Sequence, residues 1–260
     1  YGGPGCSADG KKAVVTYAPE HPDVTAGKWP LPRPYKQAMA EEYGGRPMTY
    51  IQADFESGNV EEVFTDNYGC NHVQPSFAEP NIWLIDRDPI TPEQGDWTNH
   101  PRVWLLDTSN KSLTPVIPGD EFKYPAHSTW NRTGERVYYH GPAQEGGQFI
   151  GVADIQGNIL WETLIPGAVY GHVSAHTKRE AILTDGLVTS DLISVIDYEG
   201  KESESGAPGI EILGAHDTDW RGMYWQYSDP HSQMSPDGRW VYYNRCERGR
   251  SDVYVLRIEP

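Results

Sequence analysis

HSQMSPDGRWVYYN, residues 231–244, decides how this chain folds. Its centre, Ser235-Pro236-Asp237-Gly238, has turn chemistry: proline presets φ, and glycine supplies a positive φ at no steric cost. Trp240-Val241-Tyr242-Tyr243 follows, an aromatic and β-branched run that suits a strand. The segment therefore reads as strand, tight turn, strand. The pattern recurs as HSTWNRTGERVYYHG (127–141) and HVSAHTKREAILTDG (172–186), more loosely as HVQPSFAEPNIWLID (72–86), and as GPGCSADGKKAVVTY at 3–17.

The copies begin at 3, 72, 127, 172 and 231, spacings of 45 to 69 residues. Periods of roughly 40–50 residues, each a small antiparallel sheet, are the signature of propeller blades. Further strands read at Arg102–Asp107 and Asp252–Arg257. The expected fold is all-β, a β-propeller with about five countable blades in a single domain over 1–260. The longer spacings require insertions. The Pro-rich stretch 19–47 has no core-forming pattern and reads as an insertion loop; within it, Lys36–Tyr43 reads as a short helix.

Composition narrows the function. A net charge of −16 argues against nucleic acid as a partner, which calls for a basic surface. No apolar run is long enough to cross a bilayer. No charged-then-apolar leader opens the chain, which sets the expectation of a cytoplasmic protein, or a periplasmic one if a leader has been removed. The 9 Trp, 16 Tyr and 5 Phe are enough for a sizeable core, and most of them are expected inside it. Cys6, Cys70 and Cys246 are too few and too scattered for a disulfide framework or a zinc cage, so buried free thiols are expected. Sequons stand at Asn110 and Asn131 and matter only in a secretory pathway.

Four copies share a histidine four residues before the turn: His72, His127, His172 and His231. The first copy has Gly3 there. Inner propeller strands line a common axis, so equivalent side chains converge although no two are near in sequence. One such histidine is best read as a polar wall residue; four in register, out of nine in the chain, point to a site. Around the last copy, Gln226, Asp229 and His231 add an amide oxygen, a carboxylate and an imidazole. Mixed oxygen and nitrogen donors suit a divalent ion such as Mn²⁺. Asp229 and His231, two apart on a strand, would share a face; read alone, Asp229-Pro230 is a turn with a solvated carboxylate. Arg102 opens a strand and is either a surface residue or a bidentate partner for a carboxylate.

In these pieces the chain resembles the oligogalacturonate lyases, polysaccharide lyase family 22, from about Tyr68 to the end. The likeness is carried by Gly69-Cys70-Asn71-His72-Val73-Gln74-Pro75-Ser76, by Arg102-Val103-Trp104, and by the His127 segment. It continues with Gly171-His172-Val173-Ser174 and its Asp185-Gly186, then Gln226 through Pro230-His231. The resemblance implies a seven-bladed propeller, so N-terminal blades are expected to be missing here. It makes His127 the catalytic base and Arg102 the residue that steadies the substrate carboxylate. His172, Gln226 and His231 become metal ligands, and Asp229 stands where the family has a further histidine. His72 and Gln74 are candidate substrate-binding residues. The implied activity is β-elimination on an acidic oligosaccharide, giving a 4,5-unsaturated uronate with a divalent metal, Mn²⁺ first, as cofactor. In that chemistry His127 removes the C5 proton while the carboxylate's developing charge is neutralised. Oligomeric state is open.

Two alternatives stand beside this. A non-catalytic TolB-like propeller, acting as a protein-interaction scaffold, has the same turns but gives no reason for four histidines in register. A glycoside hydrolase needs two opposed carboxylic acids, and no convincing pair is legible.

Overall fold

A computed structural model describes residues 5–17, 47–89, 92–94, 100–117, 124–144, 146–168, 170–199, 208–218, 229–247 and 250–258. Within these the five repeat copies form five hairpins. At 235–238, the Ser235 carbonyl accepts the Gly238 N–H at 2.9 Å, and Ser235 Oγ accepts the Trp240 N–H at 3.0 Å. Gly238 sits at φ 71° and Gly134, its equivalent, at φ 78°, where a side chain is strained. In the 131–134 turn Asn131 takes the serine's place: its Oδ1 accepts the Glu135 and Arg136 N–H groups. That side chain is buried, so the second sequon is a structural element of the turn.

Each hairpin grows into an antiparallel meander. The first sheet is β1 (Gly5–Cys6), β2 (Lys12–Tyr17), β3 (Met48–Asp54) and β4 (Val60–Asp66). The second is β5 (Val73–Pro75), β6 (Ile82–Asp86), β7 (Val103–Asp107) and β8 (Ser112–Pro115). The third is β9 (His127–Trp130), β10 (Arg136–Pro142), β11 (Gln148–Asp154) and β12 (Ile159–Ile165). The fourth is β13 (His172–Ala175), β14 (Ile182–Asp185), β15 (Leu192–Asp197) and β16 (Gly209–Ala215). The fifth has three strands, β17 (Gln233–Met234), β18 (Trp240–Glu247) and β19 (Arg250–Arg257). Among the described residues the one helical element is a 3-10 turn at Pro92–Gln94. These are the blades of a β-propeller, and the fold is all-β. The insertion at 19–47, apart from Pro47, and the short helix expected within it lie outside the described residues.

The chain divides into two compact units, 1–121 with the first two sheets and 122–260 with the other three. In each unit the core lies between consecutive sheets. In the first, Val14, Met48 and Tyr50 pack against Val73, Trp83, Ile85 and Leu106. In the second, Tyr138, Ile150 and Val152 meet Val173, Ile182 and Ile196, while Leu183, Ile193 and Val195 meet Met234 and Val241. Each such side chain contributes about 1.5–3 kcal/mol on burial. A strand covered on both faces reads as a continuous run: Val137 through Gly141 of β10 are all buried. Among the described residues, β18 and β19 leave Trp240, Tyr242, Val253 and Val255 exposed. Cys70 and Cys246 are buried free thiols as expected; Cys6, on the two-residue strand β1, is exposed instead.

Candidate metal centre and histidine cluster

The first strand of each sheet is short, and in the second unit β9 adjoins β13, and β13 adjoins β17. This brings three of the in-register histidines together. The His127 and His172 rings lie 4.8 Å apart between centroids, and the His172 and His231 rings stack at 3.9 Å. Tyr170 stands edge-on to both His172 (5.2 Å) and His127 (5.9 Å). His172, Asp229 and His231 offer ligand atoms that all fall within 4.8 Å of one another. Gln226 lies outside the described residues.

The donors are held from behind. Asp185, on β14 directly opposite His172, accepts His172 Nδ1–H at 2.9 Å and the His172 backbone N–H at 3.0 Å. Its other oxygen accepts the Ser232 N–H at 2.7 Å and the Ser232 hydroxyl at 3.1 Å, tying the fourth sheet to the chain entering the fifth. Burial pushes the Asp185 carboxyl up, but His172 and the Ser232 N–H outweigh it, so it stays below the usual carboxylate range. A carboxylate on Nδ1–H leaves the opposite ring nitrogen, Nε2, turned outward, the arrangement second-shell carboxylates give to ligating histidines. That Nε2 is buried, has no hydrogen-bond partner, and lies 3.8 Å from Asp229 Oδ2. Asp229 is raised above its ordinary value, chiefly by burial, with His172 and a hydrogen bond from Tyr170 pulling the other way. A buried imidazole nitrogen without a hydrogen-bond partner, facing a buried carboxyl, fits a divalent cation. His231 adopts φ 46°, a left-handed conformation costly for a non-glycine residue. The flanking backbone is pinned, Pro230 O by Asn244 N–H and Ser232 N–H by Asp185.

His127 is placed differently. Its partner across the β9–β10 pair is His140, fully buried, with His127 Nδ1 and His140 Nε2 3.0 Å apart. His140 Nδ1 in turn faces Gln148 Oε1 at 3.3 Å.

The first unit holds His72, Gln74 and Arg102. His72, just before β5 and about a third exposed, donates from Nδ1 to Asp86 Oδ2 at 2.5 Å. Gln74 lies two residues on, on the same face of the strand. Arg102 is 4% exposed. Its Nε and Nη2 bind Asp88 at 2.6 and 3.2 Å, and Nη2 also binds Asp86 at 2.9 Å. Despite burial, Arg102 and His72 hold Asp86 below the usual carboxylate range; burial, with Asp86 alongside, pushes Asp88 up. Arg102 is thus neither on the surface nor presented as a bare cation: its charge is met by two carboxylates.

No protein-family model matches the chain. Over its whole length it superposes on an oligogalacturonate lyase from Vibrio parahaemolyticus, with TM-score 0.73 and 16% identity, and covers 66% of that chain. It superposes equally on an oligogalacturonate lyase solved in complex with manganese, with TM-score 0.74, 15% identity and 65% of that chain covered. The fold is oligogalacturonate-lyase-like. TolB from Acinetobacter baumannii is also similar over 81% of this chain and 46% of its own, at TM-score 0.54 and 13% identity. By sequence, an octanoyltransferase of Buchnera aphidicola subsp. Acyrthosiphon pisum (strain APS) is 26% identical over 127 residues, 45% of this chain and 57% of that protein. The chain therefore spans about two thirds of the length of the lyases it resembles.

Sequence reasoning missed four groups of this lyase-like propeller: Asp86, His140, Asp185 and Tyr170. The first three share a signal. Each stands directly opposite a first-strand histidine, 14 residues after His72 and 13 after His127 and His172. At that position cross-strand side chains meet on one face. Tyr170, two residues before His172, carried no such signal.

Proposed function

We propose that this chain carries the active site of a polysaccharide lyase that cleaves oligogalacturonate, or a related uronate oligomer, by β-elimination. The observation that carries this reading is a histidine, His127, held by a second, buried histidine beside a cluster of cation donors, His172, Asp229 and His231. The fold likeness to two oligogalacturonate lyases, one of them with manganese, supports it.

In this reading His172, Asp229 and His231, with Gln226, would hold a divalent metal, Mn²⁺ first. When bound there, such a metal would supply Lewis-acid neutralisation of charge on the sugar carboxylate. His127 takes the C5 proton, the C–H electron pair forms the C4–C5 double bond, and the C4–O bond breaks, the departing oxygen taking a proton from solvent water to leave a 4,5-unsaturated uronate and a free sugar hydroxyl. Asp185 keeps His172 in its ligating tautomer and fixes the Ser232 backbone. For His72 and Gln74, in the first unit, the family resemblance implies a substrate-binding role. The carboxylate-steadying role of Arg102 is the one the family resemblance implies; within its own unit Arg102 orients Asp86 and so His72.

The test is incubation of the purified chain with oligogalacturonate and Mn²⁺, followed by ultraviolet absorbance of the unsaturated product. A rise that chelation stops and Mn²⁺ restores supports the reading; silence across galacturonate and other uronate oligomers overturns it. A scaffold propeller assigns no role to the orphaned His172 Nε2, so metal analysis separates that alternative.

A further inference from the structure

Every first-strand histidine faces a second-strand residue, but the partners differ in kind. His72 and His172 face carboxylates, Asp86 and Asp185, which accept from their Nδ1–H. His127 faces a second histidine, and behind that stands an amide. The order of hydrogen-bond donation through this chain follows from valence. The Gln148 Oε1 that faces His140 can only accept, so His140 Nδ1 carries the proton. A neutral imidazole has one N–H, so His140 Nε2 carries a lone pair. The atom 3.0 Å from it, His127 Nδ1, must then be the donor. The His127 lone pair is left on Nε2.

We propose that His140 and Gln148 are positioning residues that lock His127 into the Nδ1–H tautomer, with its basic lone pair on Nε2. The cross-strand geometry is built for this. His140 is directly opposite His127, and Gln148 of β11 is the diagonal neighbour of His140, whose direct partner is Ile150. Both are buried, His140 completely and Gln148 to 5% exposure, so the pair is shielded from the water that would let the tautomers exchange. A neutral relay also differs from a carboxylate in what it withholds. Gln148 cannot take up a proton, so a proton gained at His127 Nε2 can be shared with His140 but does not pass on through the amide, and it stays within the pair for return. The word base rests on the lyase reading; the tautomer itself does not.

The test is a long-range ¹H–¹⁵N correlation spectrum of the full chain with ¹⁵N-labelled histidine, above about pH 7.5 where imidazoles are neutral. His127 is assigned by its loss in His127→Gln. The expected spectrum shows a pyrrole-type Nδ1 and a pyridine-type Nε2 for His127. Gln148→Leu, which removes the acceptor, is expected to mix the His140 and His127 tautomers. It should also lower kcat by between about 10-fold and 10⁴-fold with KM unchanged, the upper figure being the cost of a wrong tautomer in a Ser-His-Asp triad. Gln148→Glu, an acceptor at both oxygens, should keep the wild-type tautomer and covers the case in which the leucine variant does not fold. A protonated His127 Nε2 in the wild type, or a tautomer indifferent to Gln148→Leu, overturns the inference. A protein with the expected spectrum and no activity on uronate oligomers sinks the lyase reading and leaves this one standing.

Discussion

Replacing Asp185 with asparagine tests how the donor cluster is held. The carboxylate accepts four hydrogen bonds, two from His172 and two from Ser232. Asparagine keeps one acceptor oxygen and turns the other end into a donor. If the oxygen stays with His172, the new NH₂ faces the Ser232 N–H; the Ser232 hydroxyl can rotate to accept, but the backbone N–H cannot. One buried donor left unpaired costs about 1–3 kcal/mol. The bonds that survive fall from charge-assisted to neutral strength, a further loss of about 1–2 kcal/mol. The cheaper burial of an amide offsets about 1 kcal/mol of this. The expected net loss is about 2–3 kcal/mol, or a Tm lower by about 5–10 °C for a chain of this size. Mn²⁺ affinity should fall about 10- to 100-fold as His172 loses its tautomer lock. Urea denaturation and calorimetric Mn²⁺ titration read the two effects separately. A variant with unchanged midpoint and unchanged affinity would refute the reasoning, because it would mean that Asp185 neither links the sheets nor orients the ligand.

Other outcomes follow from the same geometry. His127→Ala should reduce turnover at least about 10²-fold while Mn²⁺ titration stays near wild type; unchanged turnover removes the base assignment. Arg102→Ala strands two buried carboxylates and should cost about 3–5 kcal/mol of stability, read by denaturation; lost activity at unchanged stability would instead point to a direct substrate contact alone. Gly171→Ala would bring a Cβ to 2.0 Å from the Asp185 carbonyl oxygen and 2.9 Å from the Leu187 nitrogen, both backbone atoms. It should cost at least about 3 kcal/mol and displace His172, visible as lost Mn²⁺ binding. His216 is fully buried, and burial pushes its pKa below 6.5 against the pull of Asp185, Asp191 and Asp217. The unfolded chain then binds the extra proton, so stability should fall as pH drops through 6.5 toward the folded value, by at most about 1.4 kcal/mol per pH unit. His216→Gln should flatten a plot of Tm against pH in that window, and an unaltered slope would count against the assignment.

The fold was legible because a turn is a local object. Ser235-Pro236-Asp237-Gly238 and its relatives carry their own hydrogen bonds, so five hairpins can be counted from the sequence. The histidines were legible for the same reason, each lying a fixed four residues before its turn. Their partners were not, because a residue across a hairpin is found only when the pairing register is known. The looser 76–81 turn is one residue longer, so Asp86 falls 14 residues after His72, where Asp185 falls 13 after His172. The setting of Arg102 was hidden more deeply. Arg102 begins a strand, a position that reads as surface, and its burial depends on Asp86 and Asp88 arriving from the neighbouring chain segment. Asp229 was read as a ligand in place of an expected histidine, and it does lie with His172 and His231; its dependence on Tyr170 was not foreseen.

The opposed pair of first-strand histidine and second-strand partner behaves as an exchangeable cassette. The backbone ladder beneath it is made of main-chain hydrogen bonds, indifferent to which side chains ride on it. Aspartate or histidine at the second position can therefore change which hydrogen bond the imidazole makes without moving a strand. A protein assembled this way can retune its chemistry one sheet at a time, by substitutions at two codons, while the scaffold stays as it was.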